Sequence, residues 1–352
     1  MRFPLLVPYG WTPQRDSAFV DHGTLTPARV VKHDRVGWTV FSSHGELRAD
    51  IRGSLRGSSD INERPGVGDW VSISPRLYES RATIEAVLPR TSALLRNAAG
   101  RRTEAQVLAA NVDTVLICIP ADAAANPRRL ERELAMVWES GAVPVVVLTK
   151  SDIESDRTWI GPLAQGASVI AVDATAADGM ALLEPWRKVG STLVVIGPSG
   201  AGKSTLANRL LQEDRLATGA VREADWRGRH TTTWRELVVL PCATLLIDTP
   251  GIREISLWDA SEGVSVAFDD VEDVAAGCRF NDCQHQNEPG CEIQRALRDG
   301  TLDGERFANW KKLEGELAHQ ARRVDAQAAA AEKKRWAALT KAGRERGERK
   351  RS

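Results

Sequence analysis

The clearest chemistry in the chain is carried by nine consecutive residues. Gly197, Pro198, Ser199, Gly200, Ala201, Gly202, Lys203, Ser204 and Thr205 match the pattern G-x-x-x-x-G-K-[S/T], with the apolar run TLVVIG before them and LANRLL after them. Glycines let successive backbone N–H groups converge on phosphate oxygens where a side chain would obstruct them. A helix opening at Lys203 points its positive end at the same anion. Lys203 would reach the β- and γ-phosphates of a nucleotide, and the Ser204 hydroxyl would ligate Mg2+. A chance glycine-rich turn would lack the strand ahead and the helix behind, and the sequence supplies both.

A phosphate loop does not name the base, but three further segments bear on it. Asp248-Thr249-Pro250-Gly251 ends the run ATLLID as a D-x-x-G motif. There Asp248 would hold Mg2+ through water and the Gly251 N–H would sense the γ-phosphate. Between loop and aspartate lies Arg229-His230-Thr231-Thr232-Thr233. A threonine here, with Thr232 as the candidate, would offer its hydroxyl to Mg2+ and form a mobile switch. Thr149-Lys150-Ser151-Asp152 follows the apolar run PVVVL and resembles the N-K-x-D guanine motif. Asp152 would accept from guanine N1–H and N2–H2, groups adenine lacks, so the wrong base leaves a polar pairing unmade. Thr149 stands where Asn is usual, which puts one supporting contact in question. Val172-Asp173-Ala174-Thr175 ends the next strand and is a poorer match to a loop touching guanine O6.

The order of these motifs is rotated. The guanine motif (149–152) precedes the phosphate loop (197–205), which precedes D-T-P-G (248–251). The same sheet closes from a rotated sequence because chain permutation is tolerated where termini lie close together. One consequence is that the D-T-P-G switch runs directly into the C-terminal part of the chain, so nucleotide state has a route to it.

A second centre follows. Cys278-x4-Cys283-x-His285-x5-Cys291 places three thiols and one imidazole within fourteen residues. That is a closed Cys3His set suited to one tetrahedral, structural Zn2+, with no open position for catalysis. The remaining cysteines, Cys118 and Cys242, lie in apolar runs and read as small core hydrophobes. An odd total of five argues against a disulfide framework.

The elements that must position these residues fall into three parts: a multi-domain α/β-with-β chain. Residues ~25–90 give five short strands, ARVVKH, GWTVFSS, ELRADIRG, GDWVSISP and RATIEAVLP, punctuated by turn residues. Five strands in so short a span suit an OB-type β-barrel, with a generic β-sandwich as the alternative. From about residue 112, continuous apolar runs alternate with helical patterns, the signature of a parallel α/β sheet covered on both faces. Beyond residue 265 the chain turns polar and cysteine-bearing, then helical from about Gly304. We therefore expect an N-terminal barrel region over 1–98, a circularly permuted P-loop GTPase domain over 99–265, and a zinc-binding C-terminal domain with a basic helical tail over 266–352.

Bulk properties exclude some classes. The 352 residues carry 47 basic and 47 acidic side chains, so no global field announces a nucleic-acid partner. Local patches remain: Arg48, Arg52, Arg56 and Arg64 in the barrel, and nine basic against three acidic residues over 332–352, with Trp336 among them. No apolar run approaches the ~20 residues that span a bilayer, and the N-terminus lacks the apolar core of a secretory signal. A cytoplasmic monomer without a membrane partner is expected.

With these residues in view, the chain resembles the RsgA (YjeQ) family of circularly permuted GTPases. The likeness spans the barrel, PRTSALLR (89–96), the rotated motifs, GRHTTT (228–233), DTPGIRE (248–254) and the Cys3His cluster. The resemblance implies GTP hydrolysis to GDP and phosphate, stimulated by the small (30S) ribosomal subunit and its rRNA, in late maturation of that subunit. Many GTPases place a Gln after D-x-x-G to orient water, whereas this chain has Ile252, which cannot. By resemblance, His230 is the candidate water-positioning residue. The competing readings are a non-catalytic, nucleotide-dependent RNA-binding scaffold, favoured by Ile252 and Thr149, and a P-loop ATPase or kinase, opposed by Asp152.

Overall fold

A computed structural model describes residues 1–322 of the chain, apart from 20–22, 35, 57, 59, 98–104, 122–125, 154–156, 165, 177, 214–234, 249–260 and 320. His230, Thr232, Gly251, Ile252, Trp226, Trp234 and the basic tail 332–352 lie outside the described residues.

After a short first helix, α1 (Pro13–Ala18), five strands close on themselves. These are β1 (Thr26–Asp34), β2 (Gly37–Ser42), β3 (Gly45–Ile51), β4 (Trp70–Arg76) and β5 (Arg81–Val87), with the one-turn helix α2 (Gly53–Arg56) between β3 and β4. Their order is β1-β2-β3-β5-β4, and β1 pairs again with β4 to shut the ring. The β3–β5 pairing is parallel and the others are antiparallel. A sandwich would leave two open sheets, so the closure decides for the OB-type barrel. Inward positions alternate along each strand, and Val30, Val40, Leu47, Val71, Ile73 and Ile84 fill the interior.

A hairpin of β6 (Ala93–Asn97) and β7 (Ala105–Ala110) forms a separate two-stranded sheet. The P-loop sheet follows: β8 (Thr114–Pro120), α3 (Pro127–Glu139), β9 (Val143–Thr149), α4 (Ile160–Leu163), β10 (Ser168–Val172), β11 (Thr192–Ile196), α5 (Lys203–Leu211), β12 (Arg235–Val239) and β13 (Leu245–Asp248). Its order is β10-β9-β8-β11-β13-β12, parallel except for β12. Apolar residues on successive positions serve opposite faces. Val115, Ile117, Val146 and Val194 meet α3 residues Leu130 and Leu134, while Leu116, Cys118, Val145 and Val147 meet α5 residues Leu206 and Leu210. Two-sided burial is why these strands read as unbroken apolar runs. Cys118 is fully buried as expected, but Cys242 is only half-buried. Its run is split by a hairpin turn, closed by Ala243 N–H to the Leu240 carbonyl at 2.8 Å, which lifts Cys242 out of the core.

Barrel and P-loop sheet are one eleven-stranded sheet, because β12 pairs antiparallel with β1. Glu236 of β12 stands opposite Asp248 on one side and Lys32 on the other. The seam is fixed by Arg29, which is 2% exposed. Its guanidinium donates to the carbonyls of Tyr9, Gly68 and Asn111 and to Thr192 Oγ1 at 3.0 Å, and lies 5.1 Å from the Trp70 ring centre. Burial among carbonyls rather than carboxylates lowers Arg29 to about 9.

The C-terminal part consists of α6 (Ser261–Ala267), α7 (Asp269–Ala276), α8 (Glu292–Asp299) and α9 (304–319). Phe268, Val271, Ile293, Trp310 and Leu313 extend the apolar core that α3 covers. Arg306 clamps the junction, donating to Glu131 of α3 at 2.8 Å, to both Asp270 oxygens and to the Ala267 carbonyl. No described helix is long and apolar enough to cross a membrane.

Candidate functional site

The register of the sheet brings separated motifs to one edge. Pro120 stands opposite Thr149, Ile117 opposite Ile196, and Val194 opposite Ile247. The carboxyl ends of the parallel strands β9, β11 and β13, at Thr149, Ile196 and Asp248, therefore share one edge of the sheet. From the neighbours β8 and β11 the chain proceeds in opposite directions across the sheet. That is the switch point at which open α/β sheets bind ligands.

Within the phosphate loop, Gly197, Gly200 and Gly202 all have positive φ (133°, 78° and 73°). A Cβ on Gly197 would collide with the Cys118 carbonyl, whereas one on Gly200 would meet open space. Gly197 thus lets the loop leave the sheet over β8, and Gly200 lets it turn with its outer side free. Gly202 caps α5, whose first residues are Lys203, Ser204 and Thr205. The Lys203 ammonium donates to the Pro198 carbonyl at 2.5 Å, curled over the loop it belongs to.

Thr149 is buried, at 3% exposure, and its hydroxyl donates to the Ala201 carbonyl at 2.8 Å. The threonine that departs from the guanine motif therefore ties that motif to the phosphate loop. Nothing in the motif itself announces this tether, which spans 52 residues of chain. Lys150 then takes a positive φ of 55°, and Ile153 N–H closes a turn onto its carbonyl at 3.0 Å. Ser151 is half-buried and Asp152 exposed on that turn. On the adjacent loop, Asp173 is occupied locally: its Oδ1 accepts from Thr175 N–H at 2.8 Å and Thr175 Oγ1 at 2.6 Å. These bonds hold the Asp173 carboxyl below the usual range. The backbone of Asp248 closes β13 beside β11.

At the second centre, Cys278, Cys283, His285 and Cys291 come together with their ligand atoms all within 4.8 Å of one another. A tetrahedral Zn2+ with bonds of about 2.3 Å to sulfur and about 2.05 Å to nitrogen sets S···S edges of about 3.8 Å and S···N edges of about 3.6 Å. The observed separations are 3.9 Å for Cys278 Sγ to Cys291 Sγ and 3.6 Å from each of these to His285 Nδ1. The donor set fits the ion in chemistry and size. The surroundings are built to match. Glu288 accepts the N–H groups of Gln284, Gln286 and Asn287 at 2.8–3.0 Å, Gln294 Nε2 holds the His285 carbonyl at 2.7 Å, and Phe307 and Trp310 flank the imidazole. Burial lowers the His285 pKa, favouring the neutral ring a metal needs.

Fold and site together define a P-loop nucleotide-binding protein with rotated motif order, flanked by an OB-type barrel and a Cys3His module. The family model described as RsgA GTPase matches residues 87–258. An ABC transporter model also matches residues 187–335, a span that opens just ahead of the phosphate loop such nucleotide-binding proteins share. The chain is 44% identical to the small ribosomal subunit biogenesis GTPase RsgA of Opitutus terrae, over 93% of this chain and 94% of that one. It is likewise 44% identical to the protein of that name from Xanthomonas axonopodis pv. citri, over 92% and 91%. Among solved structures, YjeQ from Thermotoga maritima aligns with a TM-score of 0.61 at 22% identity, covering 84% of this chain and 99% of that one. YloQ, described as a circularly permuted GTPase, aligns at 0.58 and 20%, covering 86% and 98%. The chain belongs to the RsgA GTPase family.

Proposed function

We propose that this protein binds GTP at the carboxyl edge of its P-loop sheet and hydrolyses it to GDP and phosphate on the small ribosomal subunit, during the late maturation of that particle. The observation that carries the reading is the Thr149–Ala201 tether, which holds the guanine motif against the phosphate loop despite the rotated chain order. The relatives, at 44% identity over most of the chain, are named small ribosomal subunit biogenesis GTPases. That shared name favours turnover over a non-catalytic scaffold.

In this reading the backbone N–H groups of Gly197–Thr205 and the Lys203 ammonium hold the phosphates. Asp152 selects guanine, with Thr149, Lys150 and Ser151 shaping its loop. Lys203, which caps the Pro198 carbonyl, has only a short swing to the anion. Ser204 and Thr232 would hold Mg2+, with Asp248 reaching it through water; the ion would neutralise charge on the transferred group. His230 orients the attacking water once the particle has ordered the switch, so turnover without the particle is slow. Zn2+ fills the Cys3His site structurally. Partners are GTP/GDP and the small subunit with its rRNA; the protein acts as a cytoplasmic monomer, with 1–98, 99–265 and 266–352 as its working units. Base competition tests the guanine assignment: excess GTP and not ATP should displace a labelled GDP, and Asp152→Asn should erase that preference. A preference intact in Asp152→Asn would remove Asp152 from recognition.

A further inference from the structure

At the seam between barrel and P-loop sheet, the pairing of β1 with β12 sets His33 directly opposite Arg235. Side chains directly opposite one another in an antiparallel pair stand on one face of the sheet. Two residues inward on that face are Val31 and Leu237, buried in the same core as Leu94 of β6. The irregularity in the β6–β7 hairpin lies on β7, where Leu108 is the extra residue, so alternation along β6 is unbroken and Arg96 shares the face of Leu94. His33, Arg96 and Arg235 thus border one edge of a common apolar core. Burial, and after it the charge of Arg96, lowers Arg235 to about 10. Burial, and after it the charge of Arg235, likewise lowers His33.

No carboxylate of the two strands shares this face. The acids next in sequence, Asp34 and Glu236, alternate to the opposite face, and Asp34 is held there by Arg48 at 3.1 and 3.2 Å. Among the described residues, none accepts from the Arg235 guanidinium, and Arg96 gives only its Nε, to Gln106 Oε1 at 3.1 Å. Trp38 lies flat on the His33 ring, with centres 4.8 Å apart and planes within 2°, and its own N–H is spent on the Pro65 carbonyl. That stack fixes the plane in which the imidazole offers an N–H. A half-buried guanidinium beside a second one, without a counter-charge, costs stability that a bound anion restores.

The cluster adjoins the nucleotide edge. Glu236 stands opposite Asp248, the last residue of β13, so Arg235 lies just past that end. From β12 to β11, where the phosphate loop begins, is two strand spacings, about 10 Å.

We infer that His33, Arg96 and Arg235 form a binding site for inorganic phosphate, beside the nucleotide pocket and separate from it. Two guanidinium forks and an imidazole N–H offer more donors than the two oxygens of a carboxylate take up, and suit a tetrahedral oxyanion. Phosphate is the anion that the proposed hydrolysis releases at this edge. The inference therefore rests on that reading, and gives the departing product a first station outside the nucleotide pocket.

The test uses the full chain with Mg2+ and a non-hydrolysable GTP analogue, so that the γ-phosphate position is filled before phosphate is added. Analogue binding is measured first, and phosphate is then titrated calorimetrically at constant ionic strength. Wild type should bind about one phosphate per chain. Arg235→Gln should weaken that binding roughly tenfold or more, as loss of a charge-assisted hydrogen bond does, and Arg96→Gln should weaken it too. Arg235→Gln should also melt above wild type in phosphate-free buffer, because the unpaired charge is gone, and added phosphate should narrow the gap. Arg96→Gln keeps the test decisive if Arg235→Gln folds poorly. Wild type without saturable phosphate binding, or binding unchanged in both variants, would overturn the inference. Failure of the analogue to bind would count against the proposed function alone, since titrating the nucleotide-free chain and its variants still decides the phosphate site.

Discussion

The Thr149 hydroxyl donates a 2.8 Å hydrogen bond to the carbonyl of Ala201, joining the end of β9 to the middle of the phosphate loop. Thr149 is buried, so the bond is shielded from water and the Ala201 carbonyl has no solvent to replace it. The unusual residue in the guanine motif is thus a structural tie rather than a defect. Thr149→Val keeps the shape and removes the donor. It should cost about 1–2 kcal/mol, weakening GDP and GTP binding roughly 5- to 30-fold, as leaving a buried acceptor unmet does. Thr149→Ser should recover most of the loss. Titration calorimetry that finds both variants equal to wild type would show that the tie is without consequence for the nucleotide.

Arg306 predicts how the C-terminal part is held to the P-loop sheet. Its side chain and that of Glu131 are 9% and 2% exposed, and the pair is shared with Asp270. Removing one partner strands a buried charge, so Arg306→Leu should cost about 3–5 kcal/mol. Pairing it with Glu131→Leu should recover part of that cost. Urea unfolding followed by tryptophan fluorescence reads both, since Trp310 lies in the same core. Additive losses in the double variant would mean that the two residues do not act together.

Three cysteine side chains and an imidazole stand with their ligand atoms all within 4.8 Å of one another, a donor set that could hold one metal ion. A strong chelator should release about one Zn2+ per chain. It should also change the emission of Trp310, 5.9 Å from the His285 ring. Cys283→Ser should lower metal content in the same way. Metal analysis well below one Zn2+ per chain in carefully purified protein would sink the structural-zinc assignment.

The barrel also has a pH signature. The side-chain hydrogen bond from Arg48, aided by the backbone N–H groups of Val36 and Gly37, lowers the Asp34 carboxyl to about 2, from 3.8. A depressed carboxylate stabilises the fold above its unfolded pKa, and that contribution is lost as pH falls toward the folded value. Barrel stability should therefore decline between about pH 4 and pH 2 through this group. Asp34→Asn should reduce the slope in that window and leave the slope above pH 5 alone. An unchanged acid limb would show that the Arg48–Asp34 pair is not retained in solution.

Much of this is legible in the residues themselves. Gly197–Thr205 with flanking strand and helix, the D-x-x-G aspartate and the Cys3His spacing are local patterns, and local patterns survive without knowledge of the fold. The five barrel strands are readable from alternation, but their closure is not, because the β1–β4 and β3–β5 pairings join segments that only the fold brings together. The Thr149–Ala201 bond, the Arg306 clamp and the Arg29 seam likewise join distant segments. Arg29 in particular hides well: a single arginine in an apolar strand reads as an edge residue, and only four converging acceptors from four segments explain its burial. The hairpin of β6 and β7 carries no strong turn signal, and its strands are too short for their periodicity to declare them.

Whether the small ribosomal subunit switches this GTPase on is read by steady-state GTP turnover with and without purified small subunits, in wild type and in His230→Ala. Turnover should be slow alone, strongly stimulated by the particle, and no longer stimulated in His230→Ala, with nucleotide affinity kept. Wild-type turnover that the particle leaves unchanged would contradict the proposed function.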